Sequence, residues 1–175
     1  MVAVCVSCRK TPTTLTPSPS LTEGEGGVNH KPSNVDAEKI VDMKIPDLDR
    51  NPFSLTAEIA RHEITIIDFW ASWCGPCRQE APRLVNAYKL YKDKGLGIIG
   101  ISLDEEYDDW RAAIGQLGLT WPQVSELRGW DDTTARHYGV SAIPYTIVVS
   151  RDGTILARGL RGTDLETFVA QQLKE

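Results

Sequence analysis

Up to about residue 40 the apolar positions follow no regular spacing. Beyond it they fall into short continuous runs alternating with helical stripes. "ITIIDFW" (residues 64–70) is rich in β-branched and aromatic side chains, which predicts a strand buried on both faces. Next, Ala81, Leu84, Val85, Tyr88 and Tyr91 repeat at the spacing of one helix face, and Gly95 closes the stripe. "LGIIGISL" (residues 96–103) reads as a second buried strand. Strand, helix and strand in that order predict a βαβ unit with parallel strands and a right-handed crossover.

A second amphipathic helix is predicted around Tyr107, Trp110, Ala113, Ile114 and Leu117. "WPQVSEL" is a short extended piece, and "DDTTARHYG" a brief helix with acidic residues at its start and Gly139 at its end. "YTIVVSRDGTILARG" gives two strands joined through Asp152-Gly153. A last helix is expected to open on a capping box, Thr163 to Glu166, with Leu165, Phe168, Val169 and Leu173 facing inward. The order βαβ, helical stretch, ββα predicts an α/β sandwich, helices covering a mixed sheet. Trp110, Trp121 and Trp130 are expected to pack the central helical insert.

The chain has 175 residues, enough for one domain and an extension; it is 41% hydrophobic and 25% charged. A net charge of −5 disfavours binding to nucleic acid or anionic lipid. "TPTTLTPSPS" (residues 11–20) and the "EGEGG" after it cannot bury enough surface to offset their conformational entropy. Residues 1–39 therefore read as a flexible tether and residues 40–175 as the folded domain, starting near Ile40 to Ile45. The extreme N-terminus, "MVAVCVSCRK", has two readings. Its Val6-Ser7-Cys8 end resembles the tail of a bacterial lipoprotein signal that lacks its leader, with Cys5 where leucine is usual. Otherwise it is an ordinary terminus with two incidental thiols.

Cys74 and Cys77 in "FWASWCGPCRQEAP" carry the chemistry. A structural zinc site needs four ligands. The second pair, Cys5 and Cys8, lies in the tether, and none of the three histidines stands near either pair at ligand spacing. A purely structural disulfide would close too small a loop to stabilise much. A redox dithiol has a mechanism. Cys74 falls where strand gives way to helix, so unpaired N–H groups and the positive helix end favour its thiolate. Pro76 suits the first helical turn, and Cys77 is placed to resolve a mixed disulfide formed on Cys74. Cys74 is thus expected to be the exposed nucleophile and Cys77 the buried resolving thiol.

"DFWASWCGPC" resembles the thioredoxin active-site stretch; Pro82 matches the proline that kinks the active-site helix there, and "SAIPYT" matches the segment holding the cis-proline, here Ile143-Pro144. The resemblance covers roughly residues 40–175 and implies a thioredoxin-like three-layer sandwich. Glu80, the segment between residues 104 and 138, and "IPDLDRNPFSL", an N-terminal strand extension, resemble the TlpA/ResA group. That group consists of extracytoplasmic, often tethered, thioredoxin-like reductases. The resemblance implies a periplasmic or membrane-tethered place, with a cytoplasmic one as the alternative. It implies a role in redox homeostasis, needing no cofactor or metal beyond the redox-active pair. The partners implied are oxidised client proteins and a thiol electron donor, membrane-bound or cytosolic, with the chain a monomer. Gly75, Pro76, Ile143 and Pro144 then belong to the client-binding surface, and Trp73, next to the nucleophile, is expected to be partly exposed there.

Many members of that group have asparagine where this chain has Asp68. A carboxylate inside an apolar strand should have a raised pKa, which makes Asp68 a candidate proton acceptor for Cys77; Glu80, one helical turn after Cys77, could share the role. Gly75-Pro76 and Ile143 resemble reductants, so disulfide reduction is the expected direction. Peroxidases of related outline carry threonine three residues before their reactive cysteine and proline seven before; here those positions are Ala71 and Ile67. A non-catalytic binding module using the cis-proline groove is the remaining alternative.

Overall fold

The computed structural model describes residues 38–173. Residues 1–37, with Cys5 and Cys8, lie outside the described residues; Glu38 and Lys39, expected to belong to the tether, instead pair with the folded domain through the Ile155 N–H to Glu38 carbonyl bond and the Lys39–Thr154 bridge. A hairpin of β1 (Lys44–Pro46) and β2 (Pro52–Ser54) leads into the short helix α1 (Leu55–Ile59). Then come β3 (Ile64–Trp70), α2 (Gly75–Tyr91), β4 (Leu96–Ser102), α3 (Tyr107–Leu117), β5 (Gln123–Val124), α4 (Thr133–His137), β6 (Tyr145–Ser150), β7 (Ile155–Arg158) and α5 (Gly162–Gln172).

The main sheet runs β5-β4-β3-β6-β7. β3 pairs parallel with β4 and antiparallel with β6, so the expected βαβ unit and mixed sheet are both present. Every residue of β3 and β4 is buried. Strands covered on both faces need a layer above and a layer below, which is why both are mainly apolar, with Thr65, Asp68 and Ser102 the buried polar exceptions. α2 packs on β4 and touches α3 and α5. The N-terminal extension is a separate two-stranded hairpin that reaches β5 through an Asp47–Val124 bridge and the Ser125 N–H to Pro46 carbonyl bond.

Two further expectations need correction. No capping box opens α5: the helix starts at Gly162 with Arg161 as N-cap and no side-chain cap of its own. The place is taken from outside the helix, because Gly162 adopts φ +53 and donates its N–H to Glu80 Oε1 at 2.6 Å. Trp110 and Trp121 are buried as expected, but Trp130 is 46% exposed. A 3-10 turn over Gly129–Asp131 tucks Gly129 inside and turns the Trp130 side chain out.

Phe69 lies in the central strand with no exposed surface. Phe69→Ala is expected to cost about 3–5 kcal/mol in urea unfolding; a loss under about 1 kcal/mol would mean that β3 is not the centre of the core.

Candidate active site

β3 ends at Trp70 and α2 begins at Gly75, leaving residues 71–74 to turn the chain. Cys74 is the N-cap of α2; its Sγ accepts the Cys77 N–H at 3.2 Å, and its own N–H donates to the Ala71 carbonyl at 3.1 Å. Pro76 occupies the first turn, where no carbonyl waits for the N–H it lacks. Cys74 and Cys77 are joined in a disulfide. The helix end that would stabilise a Cys74 thiolate after reduction is therefore already aimed at its sulfur.

Cys74 does not show the exposure expected of it. Both cysteines are 5% exposed, because the Cys74 sulfur turns inward over the first turn of α2 to meet Cys77. Gly75, Pro76 and Trp73 are exposed instead. A Cβ on Gly75 would meet nothing within 4 Å, so the backbone beside the disulfide is open to solvent there.

Asp104 holds this loop, and the sequence reading missed it. The buried carboxylate accepts from the Ser72 N–H at 3.0 Å, from Ser72 Oγ at 2.5 Å and from Ser102 Oγ at 2.6 Å. The Leu103 N–H donates to the Trp70 carbonyl at 2.8 Å beside it, and Arg78 Nη1 donates to the Ser72 carbonyl at 3.4 Å. A signal was present: Asp104 is the first charge after the buried run of β4. Because β3 and β4 are parallel, with Trp70 opposite Ser102, that charge must lie beside the cysteine loop.

Asp68 sits between Gly100 on β4 and Thr146 on β6 and is 6% exposed. Burial pushes its pKa up to about 7, and the charge of Glu80 adds to the rise. Gln123 is paired with Gly100, so it shares the sheet face of Asp68. Its Oε1 accepts from Trp70 Nε1 at 3.0 Å, while its Nε2, also buried, has no partner among the described residues. Glu80 is half-buried and anchored on the N-terminus of α5. The structure thus brings Asp68 and Glu80 into electrostatic contact beneath the start of α2, and fixes Glu80 by a bond the sequence did not suggest.

Ile143-Pro144 is a cis peptide bond. Tyr145 pairs with Phe69, which puts buried Pro144 at the same end of β3 as the cysteine loop. Ile143 beside it is half-buried. Among the described residues no group of histidine, cysteine, aspartate and glutamate is placed to hold a metal ion.

The model of the AhpC/TSA family matches residues 37–158. The chain belongs to that family. The thiol-disulfide oxidoreductase ResA of Geobacillus thermodenitrificans is 26% identical over 133 residues, 76% of this chain and 73% of the relative. The thiol:disulfide interchange protein HelX of Rhodobacter capsulatus is 31% identical over 107 residues, 61% of this chain and 57% of the relative. A crystal structure of the thioredoxin domain of a thiol-disulfide oxidoreductase from Bacteroides vulgatus superposes with a TM-score of 0.71 at 31% identity, covering 79% of this chain and 97% of that one. Within the AhpC/TSA family this is a ResA-type protein of thioredoxin-like fold. Thiol–disulfide exchange is the chemistry its CxxC pair carries.

Two variants test the electrostatics. Folding raises the Asp68 pKa above its ordinary 3.8, so between that value and about 7 the folded chain holds a proton the unfolded chain has lost. The buried carboxylate thus costs nothing well below this window, increasingly more through it, and most above it. Asp68→Asn is expected to stabilise the fold by up to about 4 kcal/mol near pH 8, the gain shrinking towards about pH 4, in urea titrations across pH. Asp104→Ala leaves the Ser72 and Ser102 donors unpaired and should cost about 2–3 kcal/mol by the same measurement.

Proposed function

We propose that the chain reduces disulfides in client proteins. In the reduced protein the Cys74 thiolate attacks one sulfur of a client disulfide, forming a mixed disulfide and releasing the other client sulfur as a thiolate, which takes up a proton. The Cys77 thiol gives up its proton, attacks Cys74 Sγ and breaks the mixed disulfide. The client leaves with two thiols, and the protein is left with its Cys74–Cys77 bond. A thiol donor then returns two electrons and two protons. Asp68, held protonatable near neutrality by burial, takes the Cys77 proton, and Glu80 influences it through its charge.

The observation that carries this reading is the N-cap position of Cys74, with its sulfur already accepting the Cys77 N–H. The direction is supported by Gly75-Pro76: no histidine between the cysteines adds positive charge to favour the thiolate, and so the reduced form, further. We place the protein outside the cytoplasm, tethered through residues 1–37, on the strength of its likeness to the TlpA/ResA group and the composition of that segment. Among the described residues no helix is long and apolar enough to cross a membrane.

Replacing the resolving thiol separates exchange from simple binding. Cys77→Ser, reduced and mixed with a disulfide-bonded client, is expected to accumulate a covalent adduct through Cys74 that dithiothreitol releases. Adducts that persist in dithiothreitol, or no adduct at all, would favour a binding module.

A further inference from the structure

The chain has five tryptophans, and three of them, Trp70, Trp110 and Trp121, are buried. The other two, Trp73 at 56% exposure and Trp130 at 46%, come from segments far apart in sequence, yet their ring centroids lie 6.4 Å apart at an interplanar angle of 54°. Two large indoles brought together in solvent do nothing for the core. They border a groove of about 280 Å³ whose polar lining is acidic: Glu105, Glu106 and Asp109, with buried Asp104 behind them. None of the three exposed carboxylates takes part in an ion pair among the described residues. The turn that presents Trp130 is shaped around one of them. Gly129 has φ +56, and a Cβ there would run into the Glu105 carboxylate.

Trp73 precedes Cys74 directly, so the groove borders the cysteine loop. The occupant is set by chemistry. An indole face attracts a cation, the aliphatic stem of lysine or arginine covers apolar surface, and unpaired carboxylates complement the charged head. We propose that this groove is a docking site for client polypeptides that carry lysine or arginine beside the disulfide to be reduced. The proposal rests on the reductase reading above and adds the substrate class to it. The aromatic pair anchors the chain of the client, and the carboxylates select its sign.

The test uses the reduced full chain and three oxidised substrates. Two are peptides with one internal disulfide, identical except that lysines or glutamates flank the cysteines. The third is 2-hydroxyethyl disulfide, small and uncharged, which reports exchange alone. At low ionic strength the second-order rate constant for the lysine peptide is expected to exceed that for the glutamate peptide by at least ~10-fold, and the ratio to shrink in ~0.5 M salt. In Trp130→Ala and in the double variant E106Q/D109N that ratio should fall several-fold. The double variant removes charge without changing shape at exposed positions, so its reading does not depend on the fate of an exposed aromatic. A wild-type ratio near one, or a ratio that survives both variants, would overturn the docking site and leave the groove to another occupant. Loss of all reduction, including that of 2-hydroxyethyl disulfide, would instead overturn the reductase reading and the docking site with it.

Discussion

A strand buried on both faces and paired on both edges has no place along its length for exposed chemistry. β3 is such a strand, and its C-terminal end is where the chain turns out of the core into the cysteine loop. Its pairing decides which groups meet that loop. Parallel pairing with β4 sets Trp70 opposite Ser102 and so delivers Asp104 to Ser72; antiparallel pairing with β6 sets Phe69 opposite Tyr145 and so delivers Pro144. Register thus brings both flanking segments to the cysteine loop, and the Asp104 bonds to Ser72 then hold it. A slip of one residue in either pairing would turn these side chains to the opposite face.

The electrostatics follow from the same burial. Asp68 sits inside the strand with little access to water, which raises its pKa into the neutral range. Glu80 adds negative charge nearby and is itself kept in place by the N–H of Gly162. That bond joins the active-site helix to the start of the last helix, and it explains why α5 needs no cap of its own. One carboxylate therefore serves the end of one helix and the titration of a neighbour.

Much of the fold is readable in the sequence because β3 and β4 are short runs rich in isoleucine and α2 and α3 carry helical stripes. The CxxC pair is readable because its position between strand and helix implies its chemistry. The features that escaped depend on distant partners. α1 is a five-residue helix, too short to show a period. The Thr163–Glu166 spacing fits a capping box locally, but a side chain eighty-two residues earlier in the chain supplies the acceptor. Trp130 looks like core material by residue type, and only the turn at Gly129 sends it out. Asp104 becomes meaningful once the strands are aligned. Cys74 is exposed in the reading of its role and buried in the disulfide-bonded fold, because its sulfur must face Cys77 to bond it.

The central claim is that this dithiol gives electrons to its clients, and the reduction potential of the Cys74–Cys77 couple tests it most directly. The protein would be equilibrated in thiol buffers of known poise and its free thiols counted. The account predicts a value near the roughly −270 mV of thioredoxin. A value near the roughly −120 mV of the strong oxidant DsbA would contradict it and make the protein a donor of disulfides.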